Sequence, residues 1–130
     1  MTQEEKDLLL KDLCARLPYG VKVEYNSCAC EVLSIDRFHE ELTIRVCPGY
    51  CPDVKLEDVK PFLFPLSSMT EEQKQELYNL VEETAFQIIH SEDGSPQPHI
   101  AMDWYNKNHF DYRGLIEEGL VLNATGLNIY

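Results

Sequence analysis

Two stretches of helical period that bracket a run of short alternating segments predict an α+β chain. Three observations carry this. Leu9, Leu13 and Leu17 recur at helical spacing near the start, and residues 20–66 alternate apolar and polar side chains in short runs. Leu77, Leu80, Val81, Thr84 and Ile88 then trace one apolar stripe. The length, 130 residues, suits a single domain spanning 1–130. The expected layout is a helix at 2–17, a β-rich region at 20–66, an acidic helix at 70–90 and an aromatic-rich helix and strand segment at 99–123.

Each element has a local reason. Thr2 and Glu5 match a capping box, and Pro18 and Gly20 stop the first helix. Val21–Tyr25, Glu31–Asp36 and Leu42–Val46 alternate as half-buried strands do, with the polar break Arg37–Glu41 as a hairpin connection. Leu56–Val59 reads as one tight helical turn. Lys60–Leu66 reads as a closing strand whose prolines require an edge or an end position. This order is the one found in SH3-like small barrels, so the fold expected is a small bent antiparallel sheet or an SH3-like barrel; the analogy carries no function. Thr70 caps the second helix, with Gln73 at the reciprocal position. Ile100, Trp104, Tyr105 and Asn108 predict a short helix over 99–109, and Gly119–Asn123 a strand added to the sheet edge.

Charge narrows the function. The net charge is −12, and residues 70–97 hold seven acidic side chains against one basic, half of the total. A basic stripe for nucleic acid is missing from the sequence, so direct nucleic-acid binding is not expected. The acidic helix reads as a solvated face, with mimicry of a nucleic-acid backbone as the sharper alternative. The apolar runs are too short for a membrane span, and Met1–Glu5 is acidic where a signal peptide is basic, so a cytoplasmic location is expected.

Three blocks carry a resemblance. Leu8–Val23 opens the chain, Val59–Thr70 lies in the middle, and Trp104–Asn106 with His109–Ile116 lies near the end. Together they resemble a family of short uncharacterised proteins from gut anaerobic bacteria and their phages or mobile elements. The resemblance covers about half of the chain and implies a bacterial origin. The family has no assigned activity, so it implies no catalytic residue.

Five cysteines occur: Cys14, Cys28, Cys30, Cys47 and Cys51. Cys14 reads as a small buried hydrophobe. If Asp36 pairs with Leu42, the other four sulfurs gather at one end of the hairpin. Zinc, disulfides and reduced thiols are all readings of that cluster. Neither pair has the two-residue spacing of a zinc knuckle, so no metal ligand and no cofactor is assigned.

The densest chemistry lies in Asp103–Leu115. Trp104, Tyr105, His109, Tyr112 and Arg113 are the candidate partner-binding residues. Trp104 and Phe110 are expected in the core, Tyr105 and Tyr112 at a surface patch. Arg113 is expected to pair with Asp111 or Asp103, or to stack on Tyr112. No phosphate-binding glycine loop, nucleophile elbow or zinc-protease motif is present in the sequence, so no catalytic residue is assigned. The leading expectation is a non-enzymatic module that binds a protein partner. The alternatives are a zinc-supported module, a small enzyme built on His109, Asp111 and Arg113, and the acidic mimic.

Overall fold

A computed structural model describes residues 1–46, 49–90 and 99–130, with side chains through Glu83 in the second helix and from Ile100 in the third. Helix α1 spans Gln3–Arg16. The Thr2 hydroxyl accepts the Glu5 amide N–H at 3.1 Å, and the Glu5 carboxylate accepts the Thr2 N–H at 2.9 Å, so two donors of the first turn are satisfied reciprocally. A tight turn at Leu17–Tyr19 ends the helix, and Gly20 leaves it in the left-handed region with its N–H on the Leu17 carbonyl.

The strands are β1 (Lys22–Tyr25), β2 (Cys28–Asp36), β3 (Glu41–Arg45), β4 (Asp53–Lys55), β5 (Lys60–Pro65), β6 (Phe110–Asp111) and β7 (Leu122–Asn123). They form one open sheet in the order β4-β3-β2-β1-β5-β6, with β7 also on β5. Pairings from β4 through β5 are antiparallel, and β6 and β7 join β5 in parallel. The sheet is therefore mixed and mostly antiparallel, and of the two arrangements expected the open sheet is the one found. Pro61 and Pro65 occupy the second and last positions of β5, between β1 on one side and the C-terminal strands on the other. The helical turn before β5 falls at Leu56–Asp58.

Two local devices set register. Asn26 and Ser27 both have positive φ, 49° and 63°, and close a two-residue hairpin that starts β2 at Cys28 opposite Tyr25. At the next hairpin the expected pairing of Asp36 with Leu42 is corrected: Asp36 faces Glu41 and Ile35 faces Leu42. The Asp36 carboxylate accepts the N–H groups of Phe38 and His39, each at 3.0 Å, and this closes a tip one residue shorter than expected. The bonds from His39 hold the Asp36 carboxyl below its usual range. A bulge between Val32 and Ser34 then shifts the register again, so Glu31 faces Arg45.

The core lies between α1 and the sheet. Leu9 and Leu13 of α1 pack with Val21, Val23, Val32, Leu42, Ile44 and Leu63, and Leu115 and Leu120 of the C-terminal segment join the same cluster. Helix α2 (Glu71–His90) starts from the expected Thr70–Gln73 cap, with Gln73 N–H on the Thr70 hydroxyl and Thr70 N–H on the Gln73 side chain. It lies against α3 (His99–Lys107), and none of its residues 71–83 is buried. None of the helices among the described residues is long and apolar enough to cross a membrane.

The Asn26–Ser27 turn gives a direct test. Ser27 holds a φ that favours glycine, so Ser27→Gly is expected to raise stability by about 0.5–1 kcal/mol in urea denaturation.

Candidate functional site

The C-terminal aromatic segment is fixed by a buried polar cluster that begins in α1. Asp12 and Arg16 lie one turn apart on the face that carries Leu9 and Leu13, and both are fully buried. Arg16 donates from Nε to Asp12 Oδ2 at 2.9 Å, and its Nη2 also reaches the Phe110 carbonyl at 2.6 Å. Its Nη1 reaches the Tyr105 carbonyl at 3.4 Å. Arg113 donates from Nε to Asp12 Oδ1 at 3.0 Å and from Nη2 to the Tyr112 hydroxyl at 2.9 Å. The Tyr112 hydroxyl in turn donates to Asn106 Oδ1 at 3.0 Å, and the Tyr112 ring lies under both guanidinium groups, 5.3 Å from Arg16 and 4.8 Å from Arg113. One carboxylate thus serves two cations, and the Asp12–Arg113 pair joins positions 101 residues apart.

Each predicted site residue has a place in this frame. Trp104 is buried, stacks on Phe110 with ring centres 5.6 Å apart, and donates its indole N–H to Glu76 of α2 at 3.0 Å. Tyr105 and Tyr112 are half-buried and pack on one another at 5.6 Å instead of forming an exposed patch. Arg113 pairs with Asp12, and neither Asp111 nor Asp103 is its partner. Asp111 instead ties the turn after it, accepting the N–H groups of Leu115 and Ile116, each at 2.9 Å.

His109 is buried in the left-handed region, with φ 61°. Its ring stacks on Tyr130 at 3.6 Å, and its Nδ1 is sealed from solvent with no hydrogen-bond partner among the described residues. Burial, reinforced by the nearby charges of Arg16 and Lys22, lowers its pKa to about 4, so the ring is neutral at pH 7. The Tyr130 hydroxyl accepts the Lys22 N–H and donates to the Phe62 carbonyl, each at 2.8 Å, and Lys22 Nζ holds the Ile129 carbonyl. The last residue is thereby strapped across β1 and β5. Enclosure of its hydroxyl end pushes the Tyr130 phenol up to about 12. His109, Asp111 and Arg113 therefore take three different partners. Asp111, Tyr112 and Arg113 line a cleft of about 610 Å³ beside Leu66 and Glu117, and His109 is not part of its wall.

The thiols divide as well. Cys30 is buried, Cys28 and Cys51 are exposed, and Cys47 lies outside the described residues, as does the fourfold cluster expected to include it. Among the described residues no group of three or more His, Cys, Asp or Glu is arranged to hold a metal ion.

The structure adds a feature that the sequence reading missed. Between α2 and α3 opens a cleft of about 420 Å³. Among the described residues its apolar lining is Tyr19, Leu80, Ile100 and Trp104, and Glu76, Glu83 and Asp103 stand there against one cation, Lys107. Positions 100, 103, 104 and 107 share one face of α3 by helical period, and that repetition was the available signal.

Two outcomes test this frame. Asp12→Ala strands two guanidinium groups, one fully buried, and is expected to cost about 3–5 kcal/mol in urea denaturation. Arg113→Ala leaves Arg16 to neutralise Asp12 and is expected to cost about 1–2 kcal/mol. For His109 the unfolded state takes up a proton near pH 6.5 while the folded state does so only near 4. Stability from this group is therefore complete above pH 6.5 and falls as the pH drops from 6.5 to about 4. His109→Asn, which suits the left-handed backbone, is expected to flatten that part of the stability–pH curve measured by urea midpoints.

No protein-family model, no curated protein and no solved structure matches this chain.

Proposed function

We propose that this chain is a non-enzymatic protein-interaction module of bacterial or phage origin that works in the cytoplasm and takes its partner in the cleft between α2 and α3. The observation that carries the reading is the state of α2. Helices in compact domains bury an apolar face, yet none of its residues 71–83 is buried, although Leu77, Tyr78, Leu80 and Val81 lie among them. Leu80 of this stripe is half-buried and lines the cleft, while Tyr78 and Val81, 58% and 49% exposed, lie outside its lining. A helix that lies against α3 and shares a partly apolar cleft with it has the form of a groove wall, which is how helix-in-groove recognition is built.

Two further observations favour binding over catalysis. His109, Asp111 and Arg113 are each engaged by a separate partner, so their functional groups do not converge on one reacting atom. The cleft wall is also anchored: Trp104 is held by Phe110 and Glu76, so this part of the lining is already ordered before a partner binds. The strongly acidic balance of the chain argues for a protein partner over nucleic acid.

A photo-crosslinking amino acid placed at Asn79, on the cleft, is expected to capture one discrete protein in the cells that carry the gene. The same group at Thr125, an exposed position outside the cleft lining, is the control. Equal labelling from both positions, or none from Asn79, would remove the reading.

A further inference from the structure

We infer that the cleft between α2 and α3 is built for a cationic amphipathic segment, a short helix whose apolar face carries aliphatic side chains and whose flanks carry Lys or Arg. The inference rests on the proposed docking role of this cleft and adds the chemistry of the occupant.

Size sets the class of occupant. About 420 Å³ lies at the small end of ligand-sized clefts. It has room for a few side chains of a linear segment and none for the body of a folded domain.

The lining sets the contact chemistry. Leu80 and Ile100 give the lining an aliphatic surface, and Tyr19 and Trp104 complete its apolar part. Trp104 is buried, stacks on Phe110 and spends its only donor on Glu76, so it forms a fixed part of the lining and not a free aromatic face.

Charge selects among partners. Among the described residues of the lining, three carboxylates stand against one ammonium. Along α2 the imbalance continues on both sides of the apolar stripe. Glu72, Glu76 and Glu83 follow one side, Glu71 and Glu82 the other, and Lys74 is the single cation over 71–83. A second copy of this chain would bring the same acidic rows against these, so like-charge repulsion disfavours self-association here. A segment with basic flanks set in the cleft meets Glu76, Glu83 and Asp103, the carboxylates of its lining. Arg or Lys stems also cover apolar surface while their heads reach the carboxylates.

The protein carries its own reporter. Trp104 is the only tryptophan in the chain and forms part of the cleft, so its emission responds to an occupant without labelling. Three synthetic helical peptides with the same leucine pattern serve as probes, with Lys, Gln or Glu at every polar position. The Lys peptide is expected to shift Trp104 emission saturably, with affinity dropping about tenfold or more as salt rises from about 50 to 300 mM. The Glu peptide is expected to give no saturable shift. Glu83→Gln combined with Asp103→Asn is expected to weaken the Lys peptide about tenfold, whereas Glu117→Gln with Glu118→Gln, an equal loss of charge outside the cleft, leaves it unchanged. Equal weakening by both double variants would mean attraction to net charge alone and would overturn the proposal. So would Gln or Glu peptides that bind as tightly as the Lys peptide, or no response to any of the three. In those last cases a protein still captured from Asn79 keeps the docking role and discards the cationic occupant, while no capture discards both.

Discussion

The docking of the C-terminal segment on α1 depends on one buried carboxylate. Asp12 lies on the apolar face of α1, where an unpaired charge would cost several kcal/mol. Arg16, one turn later, neutralises it, but Arg16 is itself fully buried and has donors left over. Those donors are met by the carbonyls of Tyr105 and Phe110, and the second oxygen of Asp12 is met by Arg113. The helix that opens the chain can bury its inner face only when the segment near the end is in place. Such a cluster adds little net stability over an apolar core, yet it penalises any arrangement that leaves one member unpaired. It therefore selects one docking of the C-terminal segment.

From that cluster the order passes outward through contacts that can be followed residue by residue. The Phe110 carbonyl accepts from Arg16, and the Phe110 ring stacks on Trp104. Trp104 then holds Glu76 of α2. Helix α2 has no buried side chain over 71–83, so its placement leans on α3 and on this chain of contacts. The cleft proposed to take a partner is thus linked to the charge pair, through α3 and through Tyr19, three residues after Arg16. The C-terminal strap of Tyr130, the stacked His109 and the Asp111-tied turn hold the same segment from its other end.

The parts that could be read from the sequence are those governed by near neighbours. Thr2 with Glu5, Thr70 with Gln73, the turn before β5 and the stop at Gly20 each follow from side chains a few residues apart. Alternation gave the strands, but pairing register depends on tip closure by Asp36 and on the bulge near Leu33, which alternation does not encode. The burial of Trp104 and Phe110 was legible from size alone; the partner of Arg113 was not, because Asp12 is 101 positions away. The α2–α3 cleft was hidden for the same reason, since its lining comes from three separate stretches of chain. Asp12 and Arg16 were visible as an i, i+4 pair beside Leu9 and Leu13, and their position on that face was the clue that they are interior.

Native-state hydrogen exchange with increasing denaturant tests the coupling of the two ends most directly. The amides of Leu13–Arg16 in α1 and those of Leu115 and Ile116, which are held by Asp111, report on the two partners. If the buried cluster joins them, both sets open in one cooperative step, with the same free energy and the same denaturant dependence. Exchange of Leu115 and Ile116 through a small, denaturant-insensitive opening while α1 stays protected would contradict the account.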